Sequence, residues 1–99
     1  MSIPAGARDN EKNSLKPTDM DMYHFTEYFE EQVLRKRPYI QKAWCIKVLE
    51  NPLRVEPQES NRYRFWGEVP ELPGKILRVV TLKDKRTIHN AFPDRRFKI

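Results

Sequence analysis

Phe25, Phe29 and Val33 recur at four-residue spacing, and with Tyr28 and Gln32 beside them they predict a helix beginning at Thr26. Glu27, Glu30 and Glu31 fill its first turns and Arg35, Lys36 and Arg37 its last, an order that complements the helix dipole at both ends. Pro38 ends this helix and suits the first turn of another. The second helix is expected from about Pro38 to Glu50, turning Ile40, Ala43, Trp44 and Val48 to the core and stopping at Asn51-Pro52. Ahead of the first helix, Met22 to Phe25 reads as a short edge strand.

Beyond Pro52 the period changes to two. Leu53 to Glu56 alternates apolar with charged, and Pro57 to Asn61 is a turn cluster. Arg62 to Trp66 alternates again, with Tyr63 and Phe65 on one face and Arg62, Arg64 and Trp66 on the other. A loop over Pro70 to Gly74 leads to Ile76–Leu82, the most apolar segment and the expected central strand, with Arg78 its only charge. Lys83 to Arg86 is a polar hairpin connection to a last strand, Thr87 to Phe92. Strict alternation there places Thr87, His89 and Ala91 on one face and Ile88, Asn90 and Phe92 on the face toward the helices. Short turns between successive strands predict an antiparallel meander of about four strands under two N-terminal helices, an α+β domain.

At 99 residues the chain has room for one domain. We expect it over 22–99, with residues 1–21 a flexible extension poor in periodicity. No apolar run nears the ~20 residues of a membrane span, and the N-terminus lacks a signal-peptide core. One cysteine, Cys45, provides neither a disulfide framework nor a thiolate cluster and is expected to be a packed side chain. These features predict a cytoplasmic protein.

Charge changes the picture more than composition does. Residues 1–20 sum to zero and 21–61 to −1, whereas 62–99 carry ten basic side chains against four acidic ones, leaving +6 on the sheet-forming half. Such a field suits a polyanion, although the same side chains would also serve as a solvated surface. No Gly-rich phosphate loop, His-Glu-x-x-His or nucleophile elbow occurs, and His24 and His89 lie too far apart in sequence to infer a metal site, so no cofactor and no metal are expected. RNA can be cleaved without a metal by a base, an acid and cations that stabilise the crowded phosphate. His89 titrates in the range either proton role needs, and Arg64, Arg78, Arg95 and Arg96 have the bidentate geometry for phosphate. Each has a structural alternative: a strand histidine satisfied in place, and for Arg78 an ion pair with Glu30, Glu31 or Glu56. Of the aromatics in the basic half, Trp66 is the one expected to stack bases.

Leu53 to Glu56 after a helical pair, Arg62-Tyr63-Arg64-Phe65-Trp66-Gly67, Leu77 to Leu82, and Ile88-His89-Asn90-Ala91-Phe92-Pro93-Asp94-Arg95-Arg96-Phe97 together resemble small bacterial BrnT-like toxins of the RelE/ParE-type group. The resemblance spans about Met22 to Phe97. It implies a RelE-like domain of two helices on a twisted antiparallel sheet, a metal-independent endoribonuclease, and neutralisation by a cognate antitoxin. Carried onto this chain, it implies catalysis by His89, Arg95 and Arg96 and RNA contacts from Arg62, Arg64, Trp66, Arg78 and Asn90. Several relatives have tyrosine where this chain has Phe92, and phenylalanine cannot move a proton. The expected partners are therefore RNA, mRNA on the ribosome included, and an antitoxin protein. The competing expectation is a catalytically inactive RNA- or protein-binding module of the same fold.

Overall fold

The structure, a computed structural model, describes residues 22–98. The expected flexible extension over 1–21 lies outside the described residues. Strand β1 (His24–Phe25) leads into helix α1, a π-helical segment Phe29–Val33 continued by an α-helical turn Leu34–Lys36. Thr26 sets its start: its hydroxyl accepts the Phe29 N–H at 3.1 Å and its carbonyl accepts the Glu30 N–H at 3.0 Å, relieving donors that have no partner within the helix. The π-turn, in which the Leu34 N–H reaches back to the Phe29 carbonyl, still buries both Phe29 and Val33. Four-residue spacing therefore located the helix but not its wider winding.

Helix α2 (Lys42–Glu50) starts four residues after Pro38 rather than at it. Pro38 and Tyr39 form a turn closed by the Ile40 N–H on the Arg37 carbonyl, 3.0 Å, and Gln41 is extended. The face presented to the sheet is consequently Cys45, Ile46 and Val48, with Ile40 buried just ahead of the helix. Ala43, expected in the core, is exposed. Cys45 is fully buried as expected, and burial pushes its thiol pKa up to about 12.

The sheet has five strands and is mixed, in the order β1-β5-β4-β3-β2, with β2 (Arg54–Gln58), β3 (Arg62–Glu68), β4 (Ile76–Thr81) and β5 (Thr87–Pro93). The β2–β5 meander is antiparallel. The short edge strand expected over Met22 to Phe25 forms as β1 and adds a fifth, parallel strand beside β5, pairing His24 with Thr87 and Phe25 with Ile88. A parallel pair needs a long crossover, and here the rest of the domain is that crossover. β2 runs two residues further into the expected turn cluster, because Pro57 stands on an edge strand, where a missing N–H is tolerated.

Register assigns the faces. Phe65, Val79 and Ala91 lie side by side, as do Gly67, Leu77 and Pro93, beneath the helices. A Cβ on Gly67 would lie 2.9 Å from Val48 Cγ2, so glycine is what lets α2 settle onto β3. Among the described residues no helix covers the opposite face. No described helix is long and apolar enough to cross a membrane.

Candidate nucleic-acid interface

The open face of the sheet gathers Arg54 and Glu56 of β2, Arg62, Arg64 and Trp66 of β3, Arg78 of β4, and Asn90 and Phe92 of β5. The last two depart from the expectation of strict alternation, which turned Asn90 and Phe92 toward the helices. The cause is a bulge: Val80 pairs with Asn90 but the next residue, Thr81, pairs with Ile88, leaving His89 opposite no residue of β4. One unpaired residue shifts the alternation. Ile88 and Ala91 are then both fully buried under the helices, while Asn90 and Phe92 fall in line with Arg64 and Trp66.

Trp66 is the centre of this face. The Arg54, Arg64 and Arg78 guanidiniums lie 6.0, 5.6 and 5.3 Å from its ring centroid, and Phe97 stacks on it at 5.4 Å with planes 23° apart. Its indole N–H donates to Asp94 Oδ2 at 2.8 Å. Covered in this way it is 6% exposed, so as it stands it is not the open stacking platform the sequence suggested. It organises its neighbours instead.

Asp94 ties that centre to the turn after β5. Its Oδ1 accepts the Arg96 N–H at 3.0 Å, and Arg78 Nη1 lies 4.0 Å from Oδ2. Burial alone would raise the pKa of this carboxyl. The hydrogen bonds from Trp66 and from the Arg96 and Phe97 N–H groups, with the Arg78 charge, outweigh that and hold it below its ordinary value. The ion pairs expected of Arg78 with Glu30, Glu31 or Glu56 do not form: Glu30 takes Lys42 at 2.6 Å and Glu56 takes Arg64 at 3.1 Å. Arg78 instead leans toward Asp94 and, at 3.5 Å, toward Gln58 Oε1. The Nε–H groups of Arg64 and Arg78 are shielded from solvent and donate to no acceptor among the described residues.

Beside Asp94 an open cleft of about 510 Å³ is lined by Arg37, Arg78, Arg95 and Arg96, with Phe92 and Pro93 as its apolar wall. Arg37, from the end of α1, is a member sequence reasoning missed; it lies 5.6 Å from the Phe92 ring centroid. Arg95 is guided into place by Gly74, whose positive φ of 79° suits glycine and whose missing Cβ leaves room for the Arg95 stem at 3.1 Å. Four arginines and one carboxylate, Asp94, line the cleft. That excess, with planar guanidinium forks, gives it the chemistry that suits an oxyanion.

His89 stands apart. Its Nδ1 is 3.1 Å from Thr26 Oγ1 and its ring stacks on Tyr28 at 4.7 Å between centroids. Desolvation first, and then repulsion from Arg62, lower its pKa, both disfavouring the charged imidazolium. His89 is not among the residues lining the arginine cleft, of which Phe92 and Pro93 belong to the same strand. Of the three residues the resemblance implies as catalytic, Arg95 and Arg96 line the cleft and His89 does not. Among the described residues no three His, Cys, Asp or Glu side chains come together as a metal site. No family model, curated protein or solved structure matches this chain.

Proposed function

We propose that this protein acts on RNA as the toxin of a bacterial type II toxin–antitoxin pair, with a RelE-like division of labour: two helices brace one face of the sheet, and RNA lies on the other. The observation that carries this reading is the convergence of Arg37, Arg78, Arg95 and Arg96 on one cleft at the margin of a cationic sheet face that no described helix covers. In it the cleft grips a backbone phosphate, and Arg62, Arg64 and Asn90 line the path of the strand. Cleavage falls to His89, whose imidazole takes the 2′-hydroxyl proton as that oxygen bonds to the adjacent phosphorus and the P–O5′ bond breaks, the 5′-oxygen leaving with a proton from water and a 2′,3′-cyclic phosphate remaining. Such a protein works in the cytoplasm, against mRNA on the ribosome included, and is silenced by an antitoxin.

A second reading, an RNA-binding module without cleavage, draws support from two features. His89 is not among the residues lining the arginine cleft, and Phe92, which carries no proton, forms part of its wall. One experiment addresses both. Purified protein is titrated into fluorescent single-stranded RNA between 50 and 200 mM salt, and the RNA is then run on a sequencing gel. Each phosphate contact contributes a slope of about −0.7 in log K against log salt. Arg95→Ala and Arg96→Ala should each flatten the line by about that amount. Loss of cleavage in His89→Ala with binding intact supports the nuclease; intact RNA with every variant supports the module. Binding that ignores salt would defeat both.

A further inference from the structure

Trp66 offers the largest aromatic surface on the open face, yet what covers it is neither strand nor helix but the tail after β5. Phe97 lies over the indole as a flat ring, 5.4 Å between centroids, with the Arg54 guanidinium 4.9 Å from its own centroid. A planar ring stacked on an indole and flanked by a guanidinium is how single-strand-binding proteins hold a base. The Phe97 ring itself is held by its stack on Trp66 and by the Arg54 guanidinium. It is half-buried, and among the described residues the tail beyond it is held by one long hydrogen bond, from Arg54 Nη2 to the Lys98 carbonyl at 3.4 Å. The firm attachment is to the backbone: Asp94 receives the Arg96 and Phe97 N–H groups. The ring can therefore swing away while the turn that carries Arg95 and Arg96 stays in place.

We propose that Phe97 occupies a nucleobase subsite: an unpaired base of bound RNA displaces the Phe97 ring and stacks on Trp66 beside Arg54. The inference rests on the proposed RNA function and sharpens it to one nucleotide unit. Asp94 both takes the Trp66 N–H at 2.8 Å and lines the arginine cleft, so the base subsite abuts the phosphate receptor. Purines should be preferred, because a larger ring stacks more area. Base stacking changes affinity by about 5- to 150-fold per base, against about 2- to 10-fold for the Phe97–Trp66 pair it replaces, so the exchange favours the base.

The test titrates the full chain with oligoadenylate and with an abasic ribose-phosphate oligomer of equal length at fixed salt. Phe97→Ala should tighten oligoadenylate by about 2- to 10-fold and leave the abasic oligomer unchanged. Phe97→Trp, which strengthens the stack and keeps the tail packed, should weaken oligoadenylate. In a Trp44→Phe background, Trp66 fluorescence should respond to oligoadenylate and not to the abasic oligomer. Equal binding of the two oligomers, with the salt slope intact, would overturn the base subsite and leave the phosphate cleft standing. Tightening of both oligomers alike by Phe97→Ala would do the same. Failure of both to bind would overturn the RNA function and this inference with it.

Discussion

Replacing Trp66 with Phe isolates the bond that joins the sheet to the arginine turn. The substitution keeps an aromatic ring under Phe97 but removes the N–H that donates to Asp94 at 2.8 Å. A hydrogen bond to a charged group contributes about 1.5–3 kcal/mol. Asp94 keeps the Arg96 and Phe97 N–H groups and the neighbouring Arg78, so it is not left bare and the loss belongs at the lower end. A smaller ring also gives up part of a stack worth about 0.5–1.5 kcal/mol. Together these place Trp66→Phe about 2 kcal/mol below wild type at pH 7, a large share of the ~5–15 kcal/mol that holds a domain together. The two contributions separate with pH. Because the Asp94 pKa is depressed in the folded state, its bonds stabilise fully above the unfolded value of about 3.9 and lose that effect as pH falls through the folded pKa. Urea denaturation at pH 7, 5 and 3 should therefore show the gap between the two proteins narrowing at the acid end, and carbon NMR of the carboxyls should show the Asp94 pKa rising in the variant. A gap that is constant with pH would assign the whole effect to packing and refute the role given to Asp94.

Three further outcomes follow from single features. Gly67→Ala sets a Cβ 2.9 and 3.1 Å from the two Val48 methyls and should cost about 1–3 kcal/mol; in a denaturation cycle with Val48→Ala the combined loss should be less than additive. Arg62→Gln removes the repulsion that, after desolvation, depresses His89, so proton NMR should find the His89 pKa higher in the variant, and an unchanged value would leave burial as the sole cause. Cys45, fully buried with its thiol pushed up to about 12, should resist a disulfide-exchange reagent at pH 8 in the native protein and react stoichiometrically in urea.

The elements that were legible in the sequence are those written in a local period. Alternation over Arg62–Trp66 correctly put Arg62, Arg64 and Trp66 on the face away from Tyr63 and Phe65, and the polar connections correctly marked the hairpins from β2 to β5. Long-range pairing was not legible. Nothing local in Tyr23-His24-Phe25-Thr26 says that β1 will lie parallel to β5, because that pairing is fixed by where the chain returns after the whole meander. Arg37 was hidden in the same way. It reads as a helix-end cation, and only the packing of α1 beside β5 brings it over Phe92.

The bulge at His89 is where local reading failed with most consequence, and it also explains how the site is built. Without an extra residue, keeping Ile88 under the helices would send Phe92 under them as well and lift Ala91 to the open face. Inserting one unpaired residue lets Ile88 and Ala91 both stay buried while Phe92 comes up beside Arg78, 5.2 Å from ring centroid to guanidinium. Asp94 then follows at the margin that Trp66 and Arg78 can reach, and Arg95 and Arg96 follow Asp94 into the cleft. The residue that sequence alone marks as a candidate proton carrier thus has a structural office. By standing outside the pairing, His89 sets the phase of the strand that delivers the arginines.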